Sequence, residues 1–546
     1  MLTMGSYLTT ERERRAEAEE PSGSVVSCVA RRLLDHHRWC CHRTLLPPLG
    51  FHLALFVGRA LAFGDLVECA PLRFHPHMGI AREHGARDVP GDAHDYLVAG
   101  ARTRLPPPSR WIPQRQTDGH DGHTRAILQG QSRQEASMWK TPGVLAYLVC
   151  LMAGWSVWAQ DWPQWRGPNR DGEIRFIEPK AWPEKLTSKW KVPVGDGYAS
   201  PLFAGGRILQ FARQGNDEVA MSIDPETGKM LWRKSYPAPY EPVQSAARHG
   251  RGPKSTPLYY DGRLYTFGIS GILSSFDAAT GKVEWRKEYA KDFKGTWPQF
   301  GTSMSPVAGD GVVVVLIGTN DDGAVAAYDA KSGAQKWIWK GDGPAYASPV
   351  IVEIEGVKQV VTLTQKYAVG LALASGDTLW KIDFPGRSGM NIPTPLRFGQ
   401  RLILAGDPGT MLLQVNKQNN SWTTERVWQI PELTMRFSSP VQKGNLIFGF
   451  SNRNSGIFFC VDAASGKTLW TSDPRQGDNA VVLISGELLF LLKDNAELIV
   501  ARANGSGFEP LHRYTVADSA TYANPLMLAK GIVIKDNTTL SYLSWE

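Results

Sequence analysis

Residues 222–233 read SIDPETGKMLWR, and the chain returns to that phrase at 275–286 as SFDAATGKVEWR and at 460–471 as CVDAASGKTLWT. A β-rich run ends in Asp, a Thr/Ser-Gly-Lys turn follows, and a second run carries one Trp. The Asp carboxylate can accept hydrogen bonds from the backbone of the turn, and Gly supplies the positive φ that a tight hairpin needs. The phrase is therefore the linker of two antiparallel strands, and its recurrence makes the chain a repeat.

Working outward, each unit opens on a small polar residue followed by Pro: Ser200-Pro201, Thr256-Pro257, Ser305-Pro306, Ser348-Pro349, Thr394-Pro395, Ser439-Pro440 and Asn524-Pro525, with Asn479-Ala480 filling the remaining slot. Eight units with a spacing of 40 to 56 residues point to a propeller or a solenoid. Within a unit, Gly, Asn and Asp divide four short β-branched and aromatic runs. Trp232, Trp285, Trp337, Trp380, Trp428 and Trp470 follow their opening Pro by 28 to 33 residues. A large ring at one depth in every unit can fill the wedge between neighbouring sheets, worth roughly 1.5–3 kcal/mol each. Unit seven departs, placing Leu511 or His512 in that slot, where His512 reads as a substitute and not a ligand.

The last unit supplies three strands and then the chain stops, whereas Trp190 precedes the first unit with no unit of its own. Pairing the strand around Trp190 with the final three completes an eighth sheet and removes two open edges. The expected fold is all-β: an eight-bladed β-propeller of four-stranded antiparallel blades over 187–546, closed by an N-terminal strand. A solenoid would not need that pairing.

The chain before the repeats differs in character. Residues 1–137 hold 10 of the 12 histidines, 17 arginines and no lysine. They read as an over-extended gene start or a disordered extension, the missing lysine favouring the first. Met138 opens an export signal: MWK is a short basic start, VLAYLVCLMAGWSVWA an apolar core, and Val157 and Ala159 suit cleavage before Gln160. The signal peptide is therefore 138–159 and a lead segment 160–186. An uncleaved membrane anchor is the alternative; a lipoprotein at Cys150 is disfavoured by the Val before it. After cleavage only Cys460 remains, in a strand, so no disulfide framework exists in the mature chain. A periplasmic or cell-envelope monomer is expected. The formal charge of +7 is dispersed, which argues against nucleic acid as a partner.

The D-x-x-[TS]-G-K-x-x-W repeat resembles that of the PQQ-like, quinoprotein-type eight-bladed propellers, which include quinoprotein alcohol dehydrogenases and BamB-type outer-membrane assembly lipoproteins. The segment DWPQWRGPNRDG from Asp161 resembles the opening of exported PQQ-like repeat proteins. The motif is scaffold and fixes no activity. Kinship with the dehydrogenases implies PQQ and calcium in the central funnel, carboxylates and an amide on the metal, an Asp base and often a vicinal disulfide. The mature chain has no Cys-Cys pair and no C-x-x-C-H haem site, and Asp321, Asp322 and Asp407 read as turn residues. No catalytic set is assigned, and no cofactor beyond PQQ with calcium as the alternative.

Loop length singles out a site. From wedge Trp to the next opening Pro the gap is 10 to 15 residues, except 25 after Trp232 and 21 after Trp285. Both long loops emerge on one face at neighbouring blades, where function resides on a rigid ring. They offer Arg248, His249, Arg251 and Lys254, then Lys291, Lys294, Trp297 and Gln299, groups suited to carboxylates, phosphates or an acidic peptide. Tyr198, Tyr346, Asn391, Arg436, Asp478 and Tyr522, just before opening prolines, line the funnel, and the tyrosines can stack on a planar ligand or on each other. The expectation is an exported, non-catalytic scaffold that binds a protein partner or anionic ligand through this face, with possible peripheral association with the outer membrane; a PQQ- and calcium-dependent oxidoreductase acting on alcohols or sugars is the alternative.

Overall fold

Each sequence unit folds into one four-stranded antiparallel sheet, and eight such sheets make the molecule. In this computed structural model the described residues are 161–289 and 292–546. All of them belong to one compact unit of the chain. Residues 1–160, with the expected export signal, Cys150 and the expected cleavage site, and Lys291 lie outside the described residues.

Blades 1 to 7 span 202–237, 258–288, 307–339, 350–383, 396–430, 441–471 and 480–515, each with its strands in sequence order. Blade 8 contains Leu526–Leu528, Gly531–Lys535 and Thr539–Ser544, and its fourth strand is Thr187–Pro193. That early strand pairs antiparallel with the last, Trp190 opposite Tyr542 and Val192 opposite Leu540. The expected closure is thus met: the strand before the first blade and the last strand lock one sheet.

The tryptophans show how blades hold each other. The Trp232 indole donates its N–H to the carbonyl of Ala278 in the next blade at 3.0 Å, and its ring lies over Gly281 of that blade's hairpin. Trp190, Trp285, Trp337 and Trp428 repeat the arrangement on Pro225, Ala330, Leu373 and Ala463, with Gly228, Gly333, Gly376 and Gly466 beneath the rings. A Cβ on Gly376 would lie 2.6 Å from the Trp337 ring. The turn glycine therefore serves both a positive φ and the close approach of the neighbouring indole. The turn Asp behaves as its chemistry demands: Asp224 Oδ1 accepts from the Thr227 backbone and hydroxyl at 2.8 and 2.7 Å.

Two exceptions follow from the same rule. Blade 5 links its third and fourth strands by Asn419-Asn420, both with positive φ, so it has no Gly platform. Trp380 accordingly turns to its own blade and donates to Gln359 Oε1 at 2.7 Å. Blade 8 has no covalent link between its third and fourth strands, so blade 7 has no hairpin to dock on. There His512 occupies the Trp position, opposite Val500, and stacks on Trp182 of the lead segment at 4.9 Å. Trp182 also meets Trp545 edge-on, supplying the missing wedge from outside the repeats.

The small polar residue before each opening Pro has a task too. The backbone N–H of Ser200 donates to Thr256 Oγ1, Thr256 to Ser305 Oγ, Ser305 to Ser348 Oγ, Thr394 to Ser439 Oγ, and Asn524 to Ser200 Oγ, at 2.9–3.0 Å. These five buried bonds form a belt along the channel that joins blades 8, 1, 2, 3 and 4 in series and blade 5 to blade 6. In these five units the hydroxyl satisfies an N–H that would otherwise be orphaned at the inner end of the sheet.

Candidate functional site

The channel inside that belt is occupied by the chain itself. Residues 162–174 enter it, with Trp162 bridged to Phe203 in both directions, Tyr259 N–H donating to the Pro163 carbonyl, and Ile174 and Gly172 paired with Ile484. The turn between is tight: Arg166, Gly167, Arg170 and Gly172 all have φ between 60° and 84°. A side chain on Gly167 would collide with the Trp162 ring at 2.5 Å. Arg166, fully buried, donates to the carbonyls of Ser439 and Pro440 at 3.2 and 2.5 Å. Arg170, also buried, spans blades 3 and 4, donating to Ser305 at 3.3 Å and to the Pro306 and Pro349 carbonyls, and its Nε is held by Gln164. Burial pushes both guanidinium pKa values down, to about 10 and about 9. Five-donor guanidiniums can satisfy carbonyls from several blades at once, which a single ammonium cannot.

At the apex of this plug Trp165 donates to Thr394 Oγ1 at 2.9 Å and packs with Tyr346, Ile392 and Phe437. Those residues lie where inner strands begin, so the plug is the floor of the funnel on the face that carries the long loops.

The two long loops fold over one another. In the first, a single 3-10 helix, Gln244–His249, carries Ser245, whose Oγ accepts from Gln299 Nε2 of the second loop at 2.8 Å. His249 is buried with its ring edge-on to Phe300 at 5.3 Å, accepts from Arg248 Nε at 3.3 Å, and is pushed down to about 4 by burial and by Arg248 and Lys254. The Phe300 N–H reaches the Tyr346 hydroxyl at 3.3 Å, tying the pair to the floor. Trp297 lies over Gly271 of blade 2. Arg251 is ion-paired with Glu241 at 2.6 Å, and its carbonyl accepts from the buried Arg213. Of the basic residues read from sequence, then, Arg251 and His249 brace the loops, Arg248 and Lys294 are exposed on them, and Lys254 is buried.

Lys254 has its amine pushed down to about 7, by burial first and by the Arg213 charge second. The folded protein releases this proton near pH 7, whereas the unfolded chain keeps it to about 10.5. Between these values the unfolded state binds more protons, so stability rises with pH across that window, and below pH 7 the fold carries a buried charge. Lys254→Met is expected to be more stable than wild type at pH 6, with the gap closing toward pH 10. Urea midpoints at the two pH values measure it; a constant gap would place the amine in water.

The funnel residues split into groups. Tyr198 and Tyr522 meet edge-on at 4.7 Å, beside Asp478 and Asp494. Burial, then the charge of Asp478, pushes Asp494 up to about 6. Tyr346 is separate from that pair, buried with Trp165 and Phe300. Asn391 is fully buried and donates to the Thr364 and Phe384 carbonyls, and Arg436 is paired with Asp407 at 3.2 Å. Sequence reasoning missed Trp165, Arg166 and Arg170; the only signal was the density of Trp, Arg and Gly in residues 161–172.

PQQ with calcium asks for carboxylates that converge from several blades. Among the described residues, no three His, Cys, Asp or Glu side chains do so. Asp407 is engaged by Arg436 and by the Arg387 N–H, and Asp321 by the Thr296 N–H. These residues do not fit a calcium cradle.

A plugged, eight-bladed ring with Trp-docked Asp-x-x-Thr/Ser-Gly hairpins defines a PQQ-like propeller. The family model described as outer membrane protein assembly factor BamB matches residues 215–472 and 399–507, together more than half of the chain, and the chain belongs to that family. It is 23% identical over 363 residues to the outer membrane protein assembly factor BamB of Burkholderia pseudomallei, covering 62% of this chain and 85% of that one. With the Bordetella pertussis protein of the same name it shares 22% over 354 residues, 63% and 71% of the two chains. Among solved structures, the quinohemoprotein alcohol dehydrogenase of Comamonas testosteroni superposes with a TM-score of 0.52 at 14% identity, over 70% of this chain and 80% of that chain, a likeness of fold alone.

Proposed function

We propose that this protein is an exported, non-catalytic scaffold of the cell envelope that docks a partner protein in outer-membrane protein assembly, using the platform made by the loops at 238–257 and 292–306. The observation that carries this reading is the mutual bracing of those loops through Ser245, Gln299, His249, Phe300 and Tyr346. Bracing limits the ordering entropy that docking would cost. The platform presents Val243, 54% exposed at the start of the 3-10 helix, and exposed Arg248 within that helix. The two BamB relatives support the process.

A photo-crosslinking residue at Val243, introduced in intact cells, is expected to trap a discrete envelope protein, with yield cut at least fivefold by Arg248→Glu. The same residue at Leu231, exposed on the outer rim, serves as the control. Equal trapping at both positions removes the platform from the account. Calorimetric binding of PQQ in the presence of calcium, followed by dye-linked alcohol oxidation, would replace the scaffold reading with the dehydrogenase one.

A further inference from the structure

The inner strand of every blade presents an open edge to the channel, and the lead segment covers only some of them. Phe203 gives both its N–H and its carbonyl to Trp162, so Phe203 and Ile208 form a non-hydrogen-bonded pair within blade 1. Tyr259 in blade 2 holds the equivalent place, two residues after the opening Pro, and bonds to Pro163. In blade 7 Ile484 exchanges bonds with Gly172 and Ile174. The equivalent residues of blades 3 to 6 are Ala308, Ile351, Arg397 and Gln442. Their partners across the first hairpin, Val313, Val360, Leu402 and Ile447, stand in the same parity as Ile208. Their backbone N–H and carbonyl groups therefore point into the channel, and no segment of the described chain pairs with them.

All four line one cavity of about 500 Å³. It lies between the plug turn, Gln164 to Asp171, and the inner strands of blades 3 to 6, toward the first-hairpin end of the ring where Gly399 sits, away from the long loops. That volume falls within the usual range for ligand sites, about 300–1,000 Å³. Its wall is mixed: Val350, Ile351 and Leu396 are apolar, Arg397 and Asp171 charged, and Gln442 has a buried Oε1 with no hydrogen-bond partner.

We infer that this cavity receives an extended peptide segment of a partner chain, added as a strand to the inner edge of blade 4 or 5. The occupant is argued from the molecule's own behaviour: its lead segment already docks on the inner edges of blades 1, 2 and 7 by main-chain bonds. An extended peptide matches unpaired edge groups without needing a particular sequence, while alternate side chains settle into the apolar and charged parts of the wall. Arg397 and Asp171, of opposite sign, suit a segment carrying both charges. The site is independent of the loop platform and survives its failure.

A display library of random heptapeptides panned against the protein tests this, followed by residue-resolved hydrogen exchange with the best synthetic peptide. Selected peptides are expected to slow exchange at one or more of Ala308, Ile351, Arg397 and Gln442 at least tenfold, leaving Phe203 and Tyr259 unchanged. N-methylation of alternate peptide amides, which leaves the protein untouched, is expected to weaken binding at least tenfold. Asn169→Trp, an exposed plug position lining the cavity, is expected to do the same at an unchanged melting temperature. No enrichment, protection elsewhere, or full binding by the N-methylated peptide overturns the inference.

Discussion

Arg170→Ala is expected to destabilise the protein by about 3–5 kcal/mol, the scale for removing one partner of a buried charged set. The guanidinium of Arg170 is shared by the carbonyls of Ser305, Pro306 and Pro349, and by Gln164 through Nε. Deleting it leaves these acceptors buried, each lost bond to a charged donor being worth about 1.5–3 kcal/mol. Opposing this is the cost of burying the charge, visible in the depressed pKa of about 9. Arg170→Met should therefore cost less than Arg170→Ala, since it fills the volume and removes the desolvation, but it still strands the carbonyls. Arg170→Lys should not rescue, because one ammonium cannot reach two blades with fork geometry. Urea midpoints of the three variants measure the order. A loss below about 1 kcal/mol for Arg170→Ala, the scale of an exposed ion pair, would mean the plug is an ornament on a ring that closes without it.

Why the ring was legible in sequence and the plug was not is a matter of range. The hairpin at 224–229 is decided within six residues, by an Asp that caps its own turn and a Gly that takes positive φ. Its repetition carried the blade count, and the unpaired strand around Trp190 carried the closure. Arg166, by contrast, reaches Ser439 across 273 residues, and nothing near it in the chain marks that partner. The loops differ again. A run such as RHGRGPK reads as a cluster of free cations, but Arg251 found Glu241, His249 went under Phe300, and Lys254 was buried, because the loops pack on each other and not only on the ring. Loop length located the face; it could not say which charges would stay outside. The belt of Ser and Thr hydroxyls lay between the two cases. The small polar residue was visible as punctuation, but its role needs the next blade's backbone.

Trp190→Ala is the second large effect, expected at about 3–5 kcal/mol, the range for removing a buried Trp. Five other wedge tryptophans face a covalently continuous neighbour; Trp190 belongs to the strand that joins the two ends of the blade array. Its indole N–H meets the Pro225 carbonyl at 2.9 Å, its ring covers Gly228 of blade 1, and its backbone is opposite Tyr542 of blade 8. One side chain thus couples blade 8 to blade 1 and the early strand to the last. In a linear array each repeat feels only its neighbours and unfolding can spread from an end. A closed ring has no end. Weakening the closure strand should restore one, so the variant is expected to unfold in two phases, with blades 8 and 1 exchanging amide hydrogens before blades 3 to 5. Trp380→Ala provides the contrast: its N–H bonds within its own blade, to Gln359, so it should shift the midpoint while the transition stays single and cooperative. If both variants unfold in one equally sharp step, closure by Thr187–Pro193 contributes packing area alone, and the ring's cooperativity comes from the belt and the plug.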